Sequence, residues 1–213
     1  MFDRGTKSLW HSLTGEPVVG SLVGSGKKLK LLPLTVTTWE DWTAEHPDTL
    51  TVAFDTGFNR PYIKPGDPGA AYNTYFSTQD LMFPVFDLNP LFEPKTSVYA
   101  LRTAGESKAY PLDVVFEERV INDELDGRGV LIVGDPDARS ARAYERGEHT
   151  FHPGDDARSL VDETGEIWRV AEEQLEPPAG SGKTPLVRVP GHQAFWFGWT
   201  NFYPETELYV GSE

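Results

Sequence analysis

The sequence predicts an α+β fold, mostly β, built as two homologous units of hairpins, each closed by a short tryptophan-anchored helix, with the first unit incomplete. Three observations predict it. One stretch is written twice: Trp196, Trp199, Thr200, Pro204 and Thr206 recur in identical register as Trp39, Trp42, Thr43, Pro47 and Thr49. With gaps at two points the register extends backwards, setting Leu32-Pro33 against Val189-Pro190, Gly24-Ser25-Gly26-Lys27 against Gly180-Ser181-Gly182-Lys183, and Trp10 against Trp168, so that all six tryptophans pair off. A residue this scarce would hardly pair so by chance, which makes a duplication the organising feature. Short apolar runs between Gly, Pro, Asn and Asp turns supply the third observation, because they read as strands and hairpins.

The first unit, residues 1 to 52, begins with the polar turn Asp3 to Lys7, the short run Ser8-Leu9-Trp10, the turn Thr14-Gly15-Glu16-Pro17 and the apolar pair Val18-Val19. Brief strands joined by tight turns are expected here, with a further strand over Lys28 to Leu34. The period then changes. Thr38 stands where an N-cap would, with Asp41 three residues on, and Trp39 and Trp42 share one helical face before Pro47 ends the segment.

Residues 53 to 97 have no counterpart in the other copy. Asn59-Arg60-Pro61, the Pro/Gly run Lys64 to Gly69 and Asn89-Pro90 punctuate the stretch, with Tyr62, Tyr72, Tyr75, Phe76, Phe83, Phe86 and Phe92 threaded between them. Flexible linkers lack such apolar content, so a connection packed along the body of the protein is expected.

Residues 98 to 213 read as the complete second unit. Val98 to Leu101 and Lys108 to Tyr110 flank a turn at Thr103 to Glu106, and Pro111 to Glu118 suits a helical turn or two. Val120 to Leu125 and Arg128 to Val133 flank Asp126-Gly127, a strong hairpin signal. A third hairpin turns at Asp135-Pro136-Asp137 and returns along Ala141 to Tyr144; Leu160-Val161 and Ile167 to Val170 pair about Glu163 to Glu166; and a closing helix is expected over His192 to Phe202. The second unit has residues 98 to 161 ahead of the point equivalent to Asp3, whereas the first has almost nothing there. Met1 therefore reads as an interior methionine, and the half unit is expected to be covered by the second unit, by another chain or by a separately supplied front half, since unpaired edges and bare apolar faces are costly.

A net charge of -14 repels phosphate backbones and anionic lipid, so nucleic acid is set aside as a partner. The same surplus suits hydration in high salt and suggests a halophilic source. No apolar run reaches the roughly 18 residues that span a bilayer, so no membrane insertion is expected, and Met1 to Arg4 lacks the layout of a signal peptide; as written the chain reads as soluble. The absence of cysteine excludes disulfides, thiolate metal sites and cysteine nucleophiles.

Met1 to Gly20, Ala109-Tyr110-Pro111-Leu112, Val120-Ile121-Asn122-Asp123 and Phe195-Trp196-Phe197-Gly198-Trp199 together resemble the family named domain of unknown function 3179, found in bacteria and archaea. The resemblance covers nearly the whole chain and implies no assigned activity. It also implies that a first unit usually carries an upstream Ala-Tyr-Pro-Leu and Val-Asn-Asp pair followed by Cys-x-x-Cys-Gly, and that many members are exported or lipid-anchored. That region is missing from this sequence. In the second unit Asp135 and Ala138 fall where the cysteines would, so no thiol site carries over.

Gly180-Ser181-Gly182-Lys183-Thr184 invites a phosphate-loop reading, but Pro177 replaces the required glycine, and Pro185 with a strand-like run follows where a helix is needed. His149 and His152 could ligate a metal, yet side chains three apart on a strand point to opposite faces, and nothing at a suitable spacing completes the set. His11, His46 and His192 are scattered and suit core or cap positions. Carboxylate pairs (Asp135 and Asp137, Asp155 and Asp156, Glu117 and Glu118, Asp123 and Glu124) abound in an acidic chain and by themselves read as a solvated face. The Trp pairs could stack sugars or apolar ligands, although a helix anchored in a core is the simpler reading, with the first helix wet outside and the second covered all round. No catalytic, cofactor-binding or metal-ligating residue and no cofactor is therefore assigned. The expected function is that of a non-catalytic duplicated binding or interaction module, working between its two units or along residues 53 to 97, with self-association or a protein partner completing the first unit. The alternative is a fragment of a metal-dependent or redox enzyme whose cysteine pair lies in the missing region.

Overall fold

The computed structural model describes residues 1–53, 55, 57, 63, 64 and 66–211. The turn expected at Asn59-Arg60-Pro61, together with Tyr62 and Pro65 of the aromatic connection, lies outside the described residues. Strand outweighs helix, 31% to 12%, so the protein is α+β and mostly β. The backbone divides into two compact units, Met1–Leu34 and Thr35–Glu213.

The small unit is a three-stranded antiparallel sheet of β1 (Phe2–Asp3), β2 (Ser8–Trp10) and β3 (Pro17–Val19), with Phe2 opposite Leu9 and Leu9 opposite Val19. Asp3 makes its first turn, the carboxylate accepting the Gly5 N–H (2.9 Å) and the Thr6 hydroxyl. The strand expected over Lys28 to Leu34 does not form. Leu29 N–H reaches Gly15 O (2.8 Å), but no ladder follows, because Pro33 cannot donate and Leu29, Leu32 and Leu34 are exposed and bury no face that would hold the run extended.

The large unit opens with α1 (Trp39–Glu45). Thr38 is its N-cap, with Oγ1 accepting the Asp41 N–H (3.3 Å), and Glu40 and Asp41 place negative charge at the positive end of the helix. A second short helix, α2 (Asn73–Ser77), lies in the connection. Buried Lys95 draws that segment together, its ammonium donating to Tyr75 O and Thr78 O and sitting 3.5 Å over the Tyr75 ring. Phe92 packs edge-on against Trp196 at 5.3 Å, while Tyr72, Phe76, Met82, Phe83 and Phe86 are exposed.

The hairpin β4 (Ser97–Arg102) and β5 (Ser107–Pro111) leads into α3 (Leu112–Glu118), followed by the meander β6 (Val120–Leu125), β7 (Arg128–Asp135) and β8 (Ser140–Glu145). Asp126 and Gly127 both have positive φ (52° and 70°), the backbone of a type I′ turn, which fixes the β6–β7 register. Gly134 permits α3 to sit on β7: a Cβ there would lie 2.3 Å from Val115 O. Next come β9 (Phe151–Pro153), β10 (Ser159–Asp162), β11 (Ile167–Val170), β12 (Gln174–Glu176) and β13 (Leu186–Val187), which make one antiparallel sheet in the order β13-β12-β11-β10-β9.

The closing segment departs from expectation. Gly191–Phe195 is a strand, β14, and only Trp196–Thr200 is helical, as α4; β15 (Glu207–Leu208) then pairs parallel to β5. The free edge of β4 decides this, since β14 pairs with it from Gly191 opposite Leu101 to Phe195 opposite Ser97. A five-residue ladder satisfies backbone groups that aromatic periodicity alone would have assigned to a helix. The resulting sheet runs β14-β4-β5-β15. Between the sheets lie three apolar clusters: α3 with Tyr99, Leu101, Tyr110 and Ile132; Trp168 with Tyr144, Phe151, Leu160 and Leu175; and α4 with Val98, Ala100 and Ala109.

Candidate functional site

Helix α1 has no buried residue and rests on the large unit through polar contacts. Thr38 N–H donates to Ala138 O (3.1 Å), at the turn where Asp135 Oδ1 accepts the N–H groups of Asp137 and Ala138 (3.0 Å each). Asp41 receives Arg158 Nη2 (2.6 Å) and the Thr37 hydroxyl (2.6 Å) and faces Arg142 Nη2 at 3.9 Å. Just ahead of the helix, Thr35 donates to Glu172 Oε1 (2.8 Å). Glu172 also accepts Arg142 Nε and Arg188 Nη1, each at 3.1 Å, and both arginines are buried. Partial burial works to raise the Asp41 carboxyl, but the Thr37 hydroxyl and the Arg158 guanidinium outweigh it and hold it below the usual range. Glu172 is lowered in the same way, with Thr35, Arg142 and Arg188 overcoming burial. The cavity among Asp41, Trp42, Arg142, Arg158 and Glu172 is only ≈ 10 Å³, which has room for a water molecule at most.

The exposed surface of α1 is mixed, with Glu40 and Glu45 in solvent beside the tryptophans. Trp39 is 56% exposed and Trp42 36%, whereas Trp196 and Trp199 of α4 are 1% and 0% exposed. Three contacts nevertheless recur at matching positions, although α1 has a side-chain N-cap and α4 has none. Trp42 Nε1 donates to Thr49 Oγ1 (2.9 Å), as Trp199 Nε1 does to Thr206 Oγ1 (2.9 Å). Thr43 and Thr200 each donate to the carbonyl of the tryptophan four residues earlier, both at 2.9 Å. His46 lies 4.0 Å from the Trp42 ring, and Tyr203 lies 4.2 Å from that of Trp199. The covers differ. Over Trp196 and Trp199 lie Val98, Ala100 and Ala109 of the β4–β5 hairpin, with Phe92 and Leu208 at the margin.

The other residues weighed from the sequence fall in separate places. His149 approaches Asp162 and Glu163 closely enough for the three to share an ion, while His152 is exposed and apart. The donor atoms of that trio are already engaged. Asp162 Oδ1 accepts Thr164 N, Thr164 Oγ1 and Glu166 N; Oδ2 accepts Trp168 Nε1 (2.9 Å) and the Lys183 ammonium; Glu163 takes Thr150 N (3.0 Å) and His149 Nδ1 (3.0 Å). Burial would raise the Asp162 carboxyl, yet these donors hold it far below the ordinary range. With a lysine already paired to the buried carboxylate, the trio serves as a structural turn and suits a metal poorly. Lys183 is thereby accounted for: the Gly180 to Thr184 loop contributes it as a counter-ion, and β13 follows rather than a helix. His46 caps α1, donating its N–H to Trp42 O (2.9 Å). His11 Nδ1 accepts Thr14 N–H (3.2 Å) within the small unit. Half-buried His192 lies beside Trp199, and burial followed by the Arg102 charge lowers its pKa. Among the carboxylate pairs, Asp123 binds Lys108 (2.7 Å) and the Tyr110 hydroxyl (2.9 Å). A cleft of ≈ 550 Å³ opens in the connection, lined by Tyr72, Tyr75, Leu81 and Met82 together with Asp80.

Sequence reasoning missed the arginine–carboxylate network beneath α1. Its signal was local: in Ser140-Ala141-Arg142-Ala143-Tyr144 every residue is buried, and a charged residue within such a strand must find a partner. Which carboxylate supplies it depends on chain crossings that no motif records.

The fold and site together define an α+β, mostly β protein of several small sheets whose surface carries a polar-anchored helix with an open tryptophan pair. The chain belongs to the family described as Protein of unknown function (DUF3179), whose model matches residues 1–206. No curated protein and no solved structure matches it. No helix among the described residues is long and apolar enough to cross a membrane.

Proposed function

We propose that the chain is a non-catalytic binding or interaction module derived by duplication, and that its working surface is the outer face of α1 together with the exposed aromatics of the connection that follows. One observation carries the reading: α1 and α4 share three internal contacts at matching positions, yet one tryptophan pair is buried and the other open. Two solvent-facing indoles that keep the geometry of a buried pair resemble an interface awaiting its second side. The carboxylates near them support a binding role rather than an acid–base one, since against burial the Thr37 and Thr35 hydroxyls, with the neighbouring arginines, lower Asp41 and Glu172 below the usual range. The test is elemental analysis of the purified chain, its mass by light scattering, and a broad hydrolase and redox panel on the same sample. A metal-free, inactive sample is expected. Stoichiometric metal, or turnover abolished by one carboxylate substitution, would overturn the reading in favour of an enzyme.

A further inference from the structure

We propose that Lys183 condenses with the Asp162 side chain, with Glu166 moving the protons, so that an amide bond joins the end of β10 to the loop ahead of β13. This goes beyond the interaction reading above and rests on different residues. Two carboxylates converge on one ammonium: Lys183 Nζ lies 2.5 Å from Asp162 Oδ2 and 2.5 Å from Glu166 Oε2. A counter-ion role needs one of them, and the second is the proton carrier that a condensation requires. The Asp162 side chain is 0% exposed, and Glu166 Oε2 is itself buried and accepts no other hydrogen bond. Buried Trp168 closes one side, its indole N–H on Asp162 Oδ2 (2.9 Å) and its ring 5.7 Å from the ammonium. The Lys183 side chain is 25% exposed, which leaves a departing water a way out.

The reaction balances without a co-reactant. Nζ passes one proton to Oδ2 across their contact, leaving an amine beside a neutral acid, the form of the pair that a buried site favours more than water does. Nζ then forms a bond to Cγ. Glu166 Oε2 takes a proton from that nitrogen and returns it to Oδ2, whose bond to Cγ breaks as water leaves. Ammonium and carboxylate have become an amide and one water, and Glu166 ends as it began. Asp162 Oδ1 stays as the amide oxygen. It already accepts the Thr164 N–H (2.9 Å), the Thr164 hydroxyl (2.7 Å) and the Glu166 N–H (2.9 Å), three donors placed where negative charge gathers in the tetrahedral intermediate. The same donors hold the resting carboxyl ionised, so the first proton transfer is rare and the reaction slow. It need happen only once per molecule, between groups that the fold keeps in contact.

The test is the intact mass of the purified full chain, measured under denaturing conditions after prolonged incubation of the folded protein at neutral pH. The wild type is expected to be lighter than its sequence by one water. Lys183→Arg, which keeps the charge, and Glu166→Gln, which keeps the Asp162–Lys183 pair, should each have their full sequence mass while circular dichroism shows them folded. Trypsin then locates the bond: cleavage after Lys183 should be lost, and residues 159–169 and 170–188 should appear as one joined fragment. A wild type at full mass overturns the proposal. So does a loss of water with the two fragments separate, which places the dehydration elsewhere, as in a succinimide at Asp126-Gly127. Equal loss from either variant overturns it as well, and the wild-type mass and fragment map decide the matter even where a variant fails to fold.

Discussion

Glu172→Gln tests whether the charge network beneath α1 contributes to stability. The glutamine keeps the shape of the side chain but leaves the buried guanidinium groups of Arg142 and Arg188 without the carboxylate that each contacts at 3.1 Å. Removing one partner of a buried pair costs about 3–5 kcal/mol. The Glu172 side chain is 30% exposed, so solvent screens part of the loss, and Asp41 remains 3.9 Å from Arg142. A destabilisation of about 2–3 kcal/mol is therefore expected, or roughly 5–10 °C in Tm for a domain of this size. Urea titration should show a lower midpoint at an unchanged m-value. The pH dependence supplies a second reading. The Glu172 carboxyl is lowered on folding, so its contribution is complete above its ordinary value of 4.5 and is lost as pH falls through the depressed folded value. The gap between wild type and variant should accordingly close in acid. A change below about 0.5 kcal/mol at neutral pH, or a gap that persists once the carboxylates are protonated, would refute the reasoning.

The same substitution at matching places should have opposite outcomes: Trp199→Ala costs about 3–5 kcal/mol because a buried ring is lost, while Trp42→Ala stays within about 1 kcal/mol, both read by denaturant midpoint. Trp168→Phe removes the indole N–H from the buried Asp162 carboxylate and should destabilise by about 2–3 kcal/mol; an unchanged midpoint would mean that the remaining donors suffice. Gly134→Ala forces a Cβ to 2.3 Å from Val115 O, and about 1–3 kcal/mol with weakened protection of α3 amides in hydrogen exchange is expected.

Local chemistry was the legible part of the fold. Asp126-Gly127 has one good backbone solution, Thr38 with Asp41 makes a cap recognisable from four residues, and the doubled tryptophan register picks out both helices. Competition between chain segments was not legible. Lys28 to Leu34 alternates like a strand yet finds no ladder, and His192 to Phe195 continues an aromatic helical period yet pairs with the β4 edge. The candidate site divides the same way. The tryptophan pairs could be found from spacing, but their opposite exposure depends on which strands lie over them, and the Asp41–Arg158 contact joins residues 117 apart in sequence.

Helix α1 touches the large unit through ions and hydrogen bonds, without a single buried side chain. Those ions are sheltered from the medium: the Asp41, Arg158 and Arg142 side chains are 17%, 22% and 5% exposed, and partly buried pairs are screened far less than exposed ones, so the attachment holds as ionic strength rises. Acid is what loosens it, because the Asp41 carboxyl is lowered on folding and its contribution is lost as pH falls through the depressed folded value.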